Sequence, residues 1–138
     1  MRQISPHNTE QAARGYVMFE LARRGYSVQP TDSRFPSEDL LVVSPKGKHF
    51  GIDIKGQSTK NFWQIKEQEP SAELYFALVY VPLDGLPDVY IIESHSMMKL
   101  HQEYKNRIMA KGGKEDGRWG VTWTTPFPYK DMWETFPA

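Results

Sequence analysis

Phe50-Gly51-Ile52-Asp53-Ile54-Lys55-Gly56-Gln57 decides the fold, read with the stretch just before it, Glu38-Asp39-Leu40-Leu41-Val42-Val43. Both are short apolar runs rich in β-branched residues. Ser44-Pro45-Lys46-Gly47-Lys48 between them is a string of turn formers. The pair therefore reads as a β-hairpin. Side chains alternate faces along a strand, so Phe50, Ile52 and Ile54 point to one side, the core. Asp53, Lys55 and Gln57 point to the other. An acid, a base and an amide then share one strand face. Asp39, at the start of the partner strand, comes alongside.

Outward from the hairpin, the chain reads as one domain over residues 1–138, with a core over about 9–111 and an aromatic tail over 112–138. Asn8 or Thr9 caps a helix running to about Arg24, with Ala13, Val17 and Leu21 on one face and Glu10 on that same face. Gly25 stops it, and Tyr26 to Gln29 alternates like a strand. Gln57 to Ser71 is polar and loop-like, with a short strand near Trp63. Leu74 to Val81 is a long apolar run suited to a buried central strand. Asp84-Gly85 turns the chain into a further strand, Val89 to Ile92. Ser94 or Ser96 caps a helix over about Met97 to Lys111. The tail, with Trp119, Trp123, Phe127, Tyr129, Trp133 and Phe136, packs back on the core or forms an interface, because so many exposed rings would promote aggregation. The order predicts an α/β (α+β) fold, a mixed central sheet flanked by helices.

Composition narrows the chemistry. Lys plus Arg equals Asp plus Glu at 17 each, so any nucleic-acid surface must be a local patch rather than a basic whole. Cysteine is absent, which removes disulfides, thiolate zinc sites and cysteine nucleophiles, and agrees with a cytoplasmic location. No apolar run approaches a membrane helix or a signal peptide. The four histidines, His7, His49, His95 and His101, show no ligand spacing and read as structural or surface groups.

Two carboxylates converging at the end of a sheet repel each other and attract a divalent cation, and Mg²⁺ takes one or two carboxylates together with waters and phosphate oxygens. The Ile54 carbonyl, at the same edge, adds a candidate oxygen ligand. Lys55 beside them is placed to orient a water or to stabilise charge on a reacting phosphate.

The pattern Asp39…Asp53-Ile54-Lys55, behind a helix bearing an acid and ahead of a Trp-containing segment and an apolar strand, resembles the PD-(D/E)XK nuclease superfamily with its restriction-endonuclease-like core. The resemblance covers roughly residues 9–93. It implies Mg²⁺-dependent hydrolysis of phosphodiesters, most readily of DNA, with Mn²⁺ able to substitute. Asp39 and Asp53 match the two acids, Lys55 the lysine, Gln57 the polar residue that often follows it, and Glu10 the acid on the first helix. The implied catalytic set is Asp39, Asp53, Lys55, Gln57 and Glu10, and the implied metal ligands are Asp39, Asp53, Ile54 and Glu10. Lys46, Lys48, Lys105 and Arg107 are the candidate phosphate contacts. A homodimer would let one small domain engage both strands. Glu10 sits early on its helix for this role, and the chain departs from the pattern in two further places. Glu38, not proline, precedes Asp39, and no helix is visible after Lys55. Two readings of another class stay open: a catalytically inactive binding or regulatory module on the same fold, and an interaction protein of a toxin-partner or phage-defence type built around the aromatic C-terminus.

Overall fold

The computed structural model describes residues 3–32, 38–113 and 118–138. Helix α1 spans Pro6–Arg23. The strands that follow are β1 (Ser27–Pro30), β2 (Leu40–Val43), β3 (His49–Gln57), β4 (Trp63–Gln64), β5 (Leu74–Tyr80) and β6 (Asp88–Glu93). Helix α2 spans Ser94–Ala110, and β7 is Gly120–Val121. The main sheet has the order β1-β2-β3-β5-β6, and β4 pairs with β7 in a separate two-stranded ribbon. Within the main sheet β3 and β5 run parallel and the other neighbours antiparallel, so the sheet is mixed, as the sequence predicts. The parallel pair requires a crossover between β3 and β5. The chain makes it through residues 58–73, whose only regular element is β4.

The sheet has two apolar faces. Alternation sends Phe50 and Ile52 of β3, Leu40 and Val42 of β2, and Tyr75, Ala77 and Val79 of β5 to one side, where Ala13, Val17 and Leu21 of α1 meet them. The even-numbered residues of β5, Leu74, Phe76 and Leu78, face the other side with Tyr90, Ile92, Met97 of α2, Trp63 and Ile65. This burial on both faces explains why Leu74 to Val79 reads as an unbroken apolar run.

Both helices begin earlier than the sequence alone suggests. Ser5, not Asn8 or Thr9, caps α1: its hydroxyl accepts from the Asn8 amide at 3.1 Å, and Pro6 occupies the first helical turn, where its missing N–H matters least. Glu93, not Ser94 or Ser96, caps α2, accepting from the amides of His95 and Ser96. A carboxylate suits this position because it also meets the positive end of the helix dipole.

The tail folds inward. Phe136 stacks on Phe50 at 5.3 Å between ring centres, and Trp133 and Trp119 are buried. The Tyr26 hydroxyl donates to the Pro137 carbonyl at 2.6 Å, which ties the last residues to the start of β1. These rings complete the core, and Phe127 remains exposed. No helix among the described residues is long and apolar enough to cross a membrane.

Candidate active site

The hairpin register fixes where the acids stand. Leu40 pairs with Ile52 in an antiparallel ladder. One position further along, the same register sets Asp39 opposite Asp53, on one face of the sheet. Strand β2 ends there, while β3 continues to Gln57 with only β5 beside it. The abandoned edge of β3 is closed in two ways. Asp39 accepts the Ile54 N–H through Oδ2 at 2.7 Å, which replaces the missing ladder bond. Helix α1 then crosses beside Gly56 so closely that a Cβ there would stand 2.8 Å from that of Ala13, a gap only glycine leaves open.

Asp53 is the buried member, with 5% of its surface exposed. Burial pushes its carboxyl above the usual aspartate value, and the Asp39 charge adds to the rise. The Lys55 ammonium and a hydrogen bond from Gln68 act in the opposite direction without cancelling it. Lys55 Nζ lies 3.0 Å from Asp53 Oδ1, yet that oxygen has no hydrogen bond of acceptable alignment. The contact is an ion pair first, and the Lys55 ammonium, itself half-exposed, only partly meets the needs of this buried oxygen. Such an atom is destabilising unless something fills the place.

The remaining residues named from the sequence fall into two groups. Glu10 lines a cavity of about 160 Å³ together with Asp39, Ile54 and Gly56, so the structure brings it to the same sheet edge. It approaches from the α1 side, whereas Asp53 and Lys55 project toward the α2 side. Asp39 stands at the edge between them. Gln57 is turned elsewhere: its amide donates to the Asn61 carbonyl at 2.8 Å and shapes the loop after β3. Lys46 and Lys48 occupy the hairpin turn, which lies at the opposite end of the strands from Asp39. Five residues of strand separate Lys48 from Asp53, or about 17 Å. Lys105 and Arg107 are on α2, on the Asp53 face of the sheet, with Lys105 over the Trp119 ring and Arg107 over the Tyr104 ring. His101, as expected, is structural: it is buried, with Nε2 3.0 Å from the Ile65 carbonyl.

Sequence reasoning missed Gln68, because it sits in an irregular crossover where no periodicity points to Asp53. It also missed His7, Gln11 and Arg14, which line the cavity with Glu10. A signal for these existed. Positions 7, 10, 11 and 14 form an i, i+3, i+4, i+7 stripe, legible only once the helix is started at Pro6.

The donor set suits a hard divalent cation. It offers two opposed carboxylates, one of them with an unsatisfied buried oxygen. Among the described residues no group of three or more His, Asp or Glu side chains gathers into a cage. Asp39 and Asp53 are the two side chains here that could contribute to holding a cation. Compared with protein-family models, curated proteins and solved structures, the chain matches none. The geometry is the ground on which its function is argued.

Proposed function

We propose that the chain is a divalent-cation-dependent nuclease with a restriction-endonuclease-like core, hydrolysing phosphodiesters in DNA. The observation that carries this reading is Asp53. It is a buried carboxylate with a raised pKa and an oxygen short of a partner, facing a second carboxylate and holding a lysine at 3.0 Å. Perturbed acids with a specific charge partner concentrate at functional sites.

Asp39 and Asp53 would hold Mg²⁺ or Mn²⁺, with Glu10 at the rim and the Ile54 backbone beside them. When bound, the ion supplies Lewis-acid polarisation of the phosphoryl oxygen and acidifies the attacking water. Lys55 is the neutralising partner of Asp53 in the absence of the ion. With a cation held by the two acids, the half-exposed Lys55 ammonium would be placed to orient the water or to stabilise charge on the phosphate. The water oxygen bonds to phosphorus, the bond to the leaving oxygen breaks, and a proton passes to that oxygen. A dimer would carry two such sites against opposite strands, and a molar mass by light scattering reads that directly. The reducing cytoplasm is the compartment this cysteine-free chain suits.

One observation favours a second reading, a non-catalytic module on the same fold: Lys55 already neutralises Asp53, and no third ligand converges among the described residues. A cleavage assay decides. Supercoiled plasmid, linear duplex, single strands, branched junctions and RNA are incubated with Mg²⁺ or Mn²⁺ and wild type, Asp53→Ala or Lys55→Ala. The nuclease reading expects cleavage by wild type that both substitutions abolish. Cleavage that persists in Asp53→Ala would rule out this site, and its absence from every substrate would favour the module.

A further inference from the structure

A second concave surface opens on the same face of the sheet as Asp53, with a volume of about 450 Å³. Its walls are aromatic. Tyr80 meets Trp123 edge-on at 5.2 Å, Trp123 meets Phe127 edge-on at 5.8 Å, and Phe127 stacks on Tyr90 at 5.7 Å. Trp123 is backed by Trp63, whose ring is nearly parallel at 5.5 Å, so this wall is held by the core. Phe127 is 43% exposed, although most of the tail's other rings are sheltered. The rim carries Lys60, Lys130 and Asp88.

We infer that this aromatic cleft receives an unpaired nucleobase, so that the substrate is single-stranded or carries a single-stranded branch. The volume lies within the ~300–1,000 Å³ typical of small-molecule clefts. Rigid rings with exposed faces are what successive bases stack on, whatever their identity. The rim charge selects among guests. A cage of rings also suits a quaternary ammonium group. Here Lys130 lies 3.2 Å from Asp88, Asp131 also acts on Lys130 and Tyr90, and Lys60 on the rim offsets that second acid. A mouth without net negative charge offers little to a free cation, whereas Lys60 and Lys130 can meet the phosphate carried by an aromatic guest.

The register ties the cleft to the proposed active site. Gln57 pairs with Tyr80, four residues along β3 from Asp53 and one strand across. At about 3.3 Å per residue and about 4.8 Å between strands, Tyr80 lies roughly 14 Å from Asp53. A short length of single strand spans that gap. A stacked base would therefore hold a neighbouring phosphodiester near Asp39 and Asp53. The inference rests on the nuclease reading for its choice of nucleic acid, but base binding does not depend on cleavage.

The test is equilibrium binding in EDTA, read by anisotropy of a fluorescein-labelled oligothymidylate and of a blunt duplex of equal length. Wild type is compared with Phe127→Ala and Lys60→Glu, each checked for an unchanged melting temperature. Phe127 is half-exposed and Lys60 lies on the surface, so neither change empties the core. The expected result is preference for the single strand, with binding weakened about 5- to 150-fold in Phe127→Ala, the loss of one base–aromatic stack. Lys60→Glu weakens it as well and flattens its salt dependence. Equal binding of both oligonucleotides, or variants indistinguishable from wild type, overturns the inference. Tighter binding of a trimethyl-lysine peptide than of the oligonucleotide also overturns it. Single-strand binding in a protein that cleaves nothing would uphold this cleft and remove the nuclease reading. Cleavage indifferent to Phe127→Ala on single-stranded and branched substrates would do the reverse.

Discussion

Glu20 and Asp53 are both almost wholly covered, at 4% and 5% exposure, and the protein treats them in opposite ways. Glu20 lies near the surface under its own partners. Arg23 meets it at 3.0 Å and Arg24 contacts its other oxygen. Burial alone would raise its pKa, but the Arg24 hydrogen bond and the charges of both arginines outweigh it and hold the carboxyl below the usual glutamate value. Asp53 is surrounded by protein and faces another carboxylate, and Lys55 and Gln68 offset its burial only in part. One acid is satisfied and anchors a helix end. The other is kept ionisable in a place that disfavours its charge. A buried acid of the second kind costs stability, and under the proposed function a bound cation would offset that cost.

The largest expected effect separates the two acids by function. Asp53→Asn should reduce Mg²⁺-dependent cleavage to background, while Glu20→Gln should leave the rate of the folded protein unchanged. An equal loss in both would make Asp53 a stability residue like Glu20. Next comes the response to metal. At a free concentration about 100 times its dissociation constant, Mn²⁺ should stabilise the wild type by about 2.7 kcal/mol. Differential scanning fluorimetry should register this as a rise of several degrees that Asp53→Asn abolishes and Glu20→Gln retains.

A smaller contrast concerns stability without metal, measured by urea unfolding. Asp53→Asn removes a buried charge that its surroundings disfavour and should raise stability. Glu20→Gln should lower it by about 1 kcal/mol or less, because Arg23 and Arg24 are substantially exposed and solvent screens the pair. Two changes of the same sign would dissolve the comparison.

The finest test is pH. The native state raises the Asp53 pKa, so it binds that proton more tightly than the unfolded chain does. The penalty of its charge is full above the raised folded pKa and disappears as pH falls from there toward the unfolded value near 3.8. The stability advantage of Asp53→Asn over wild type should shrink across that window. The Glu20 contribution runs the other way. It is present above the unfolded value of about 4.5 and is lost as pH falls through the depressed folded one. Parallel curves for wild type and Asp53→Asn would mean that the burial of Asp53 does not disfavour its charge.

Much of the fold was legible from local pattern. The hairpin, the buried run of β5, the strand of β6, the two helices and the mixed sheet all follow from alternation, helical spacing and turn chemistry. Helix starts are hard to read locally because a cap is one hydrogen bond from one side chain, and Ser5 and Glu93 compete with equally plausible neighbours. Lys46 and Lys48, candidate phosphate contacts, lie at the far end of the hairpin from Asp39, because a hairpin turn stands opposite the residues that open and close its strands.

The sequence by itself determined that Asp53 and Lys55 share a strand face opposite Phe50, Ile52 and Ile54, because side chains alternate along any strand. It determined as well that Asp39 opens the neighbouring strand. Only the tertiary structure decided that Asp53 is buried, that Gln68 reaches it from the crossover, and that α1 brings Glu10 to Asp39 over Gly56. It alone decided that the tail rings Trp123 and Phe127 meet Tyr80 and Tyr90. The reason is physical. Burial and pKa depend on which distant segments pack over a residue, and those contacts come from the folding of the whole chain, not from the local spacing of its residues.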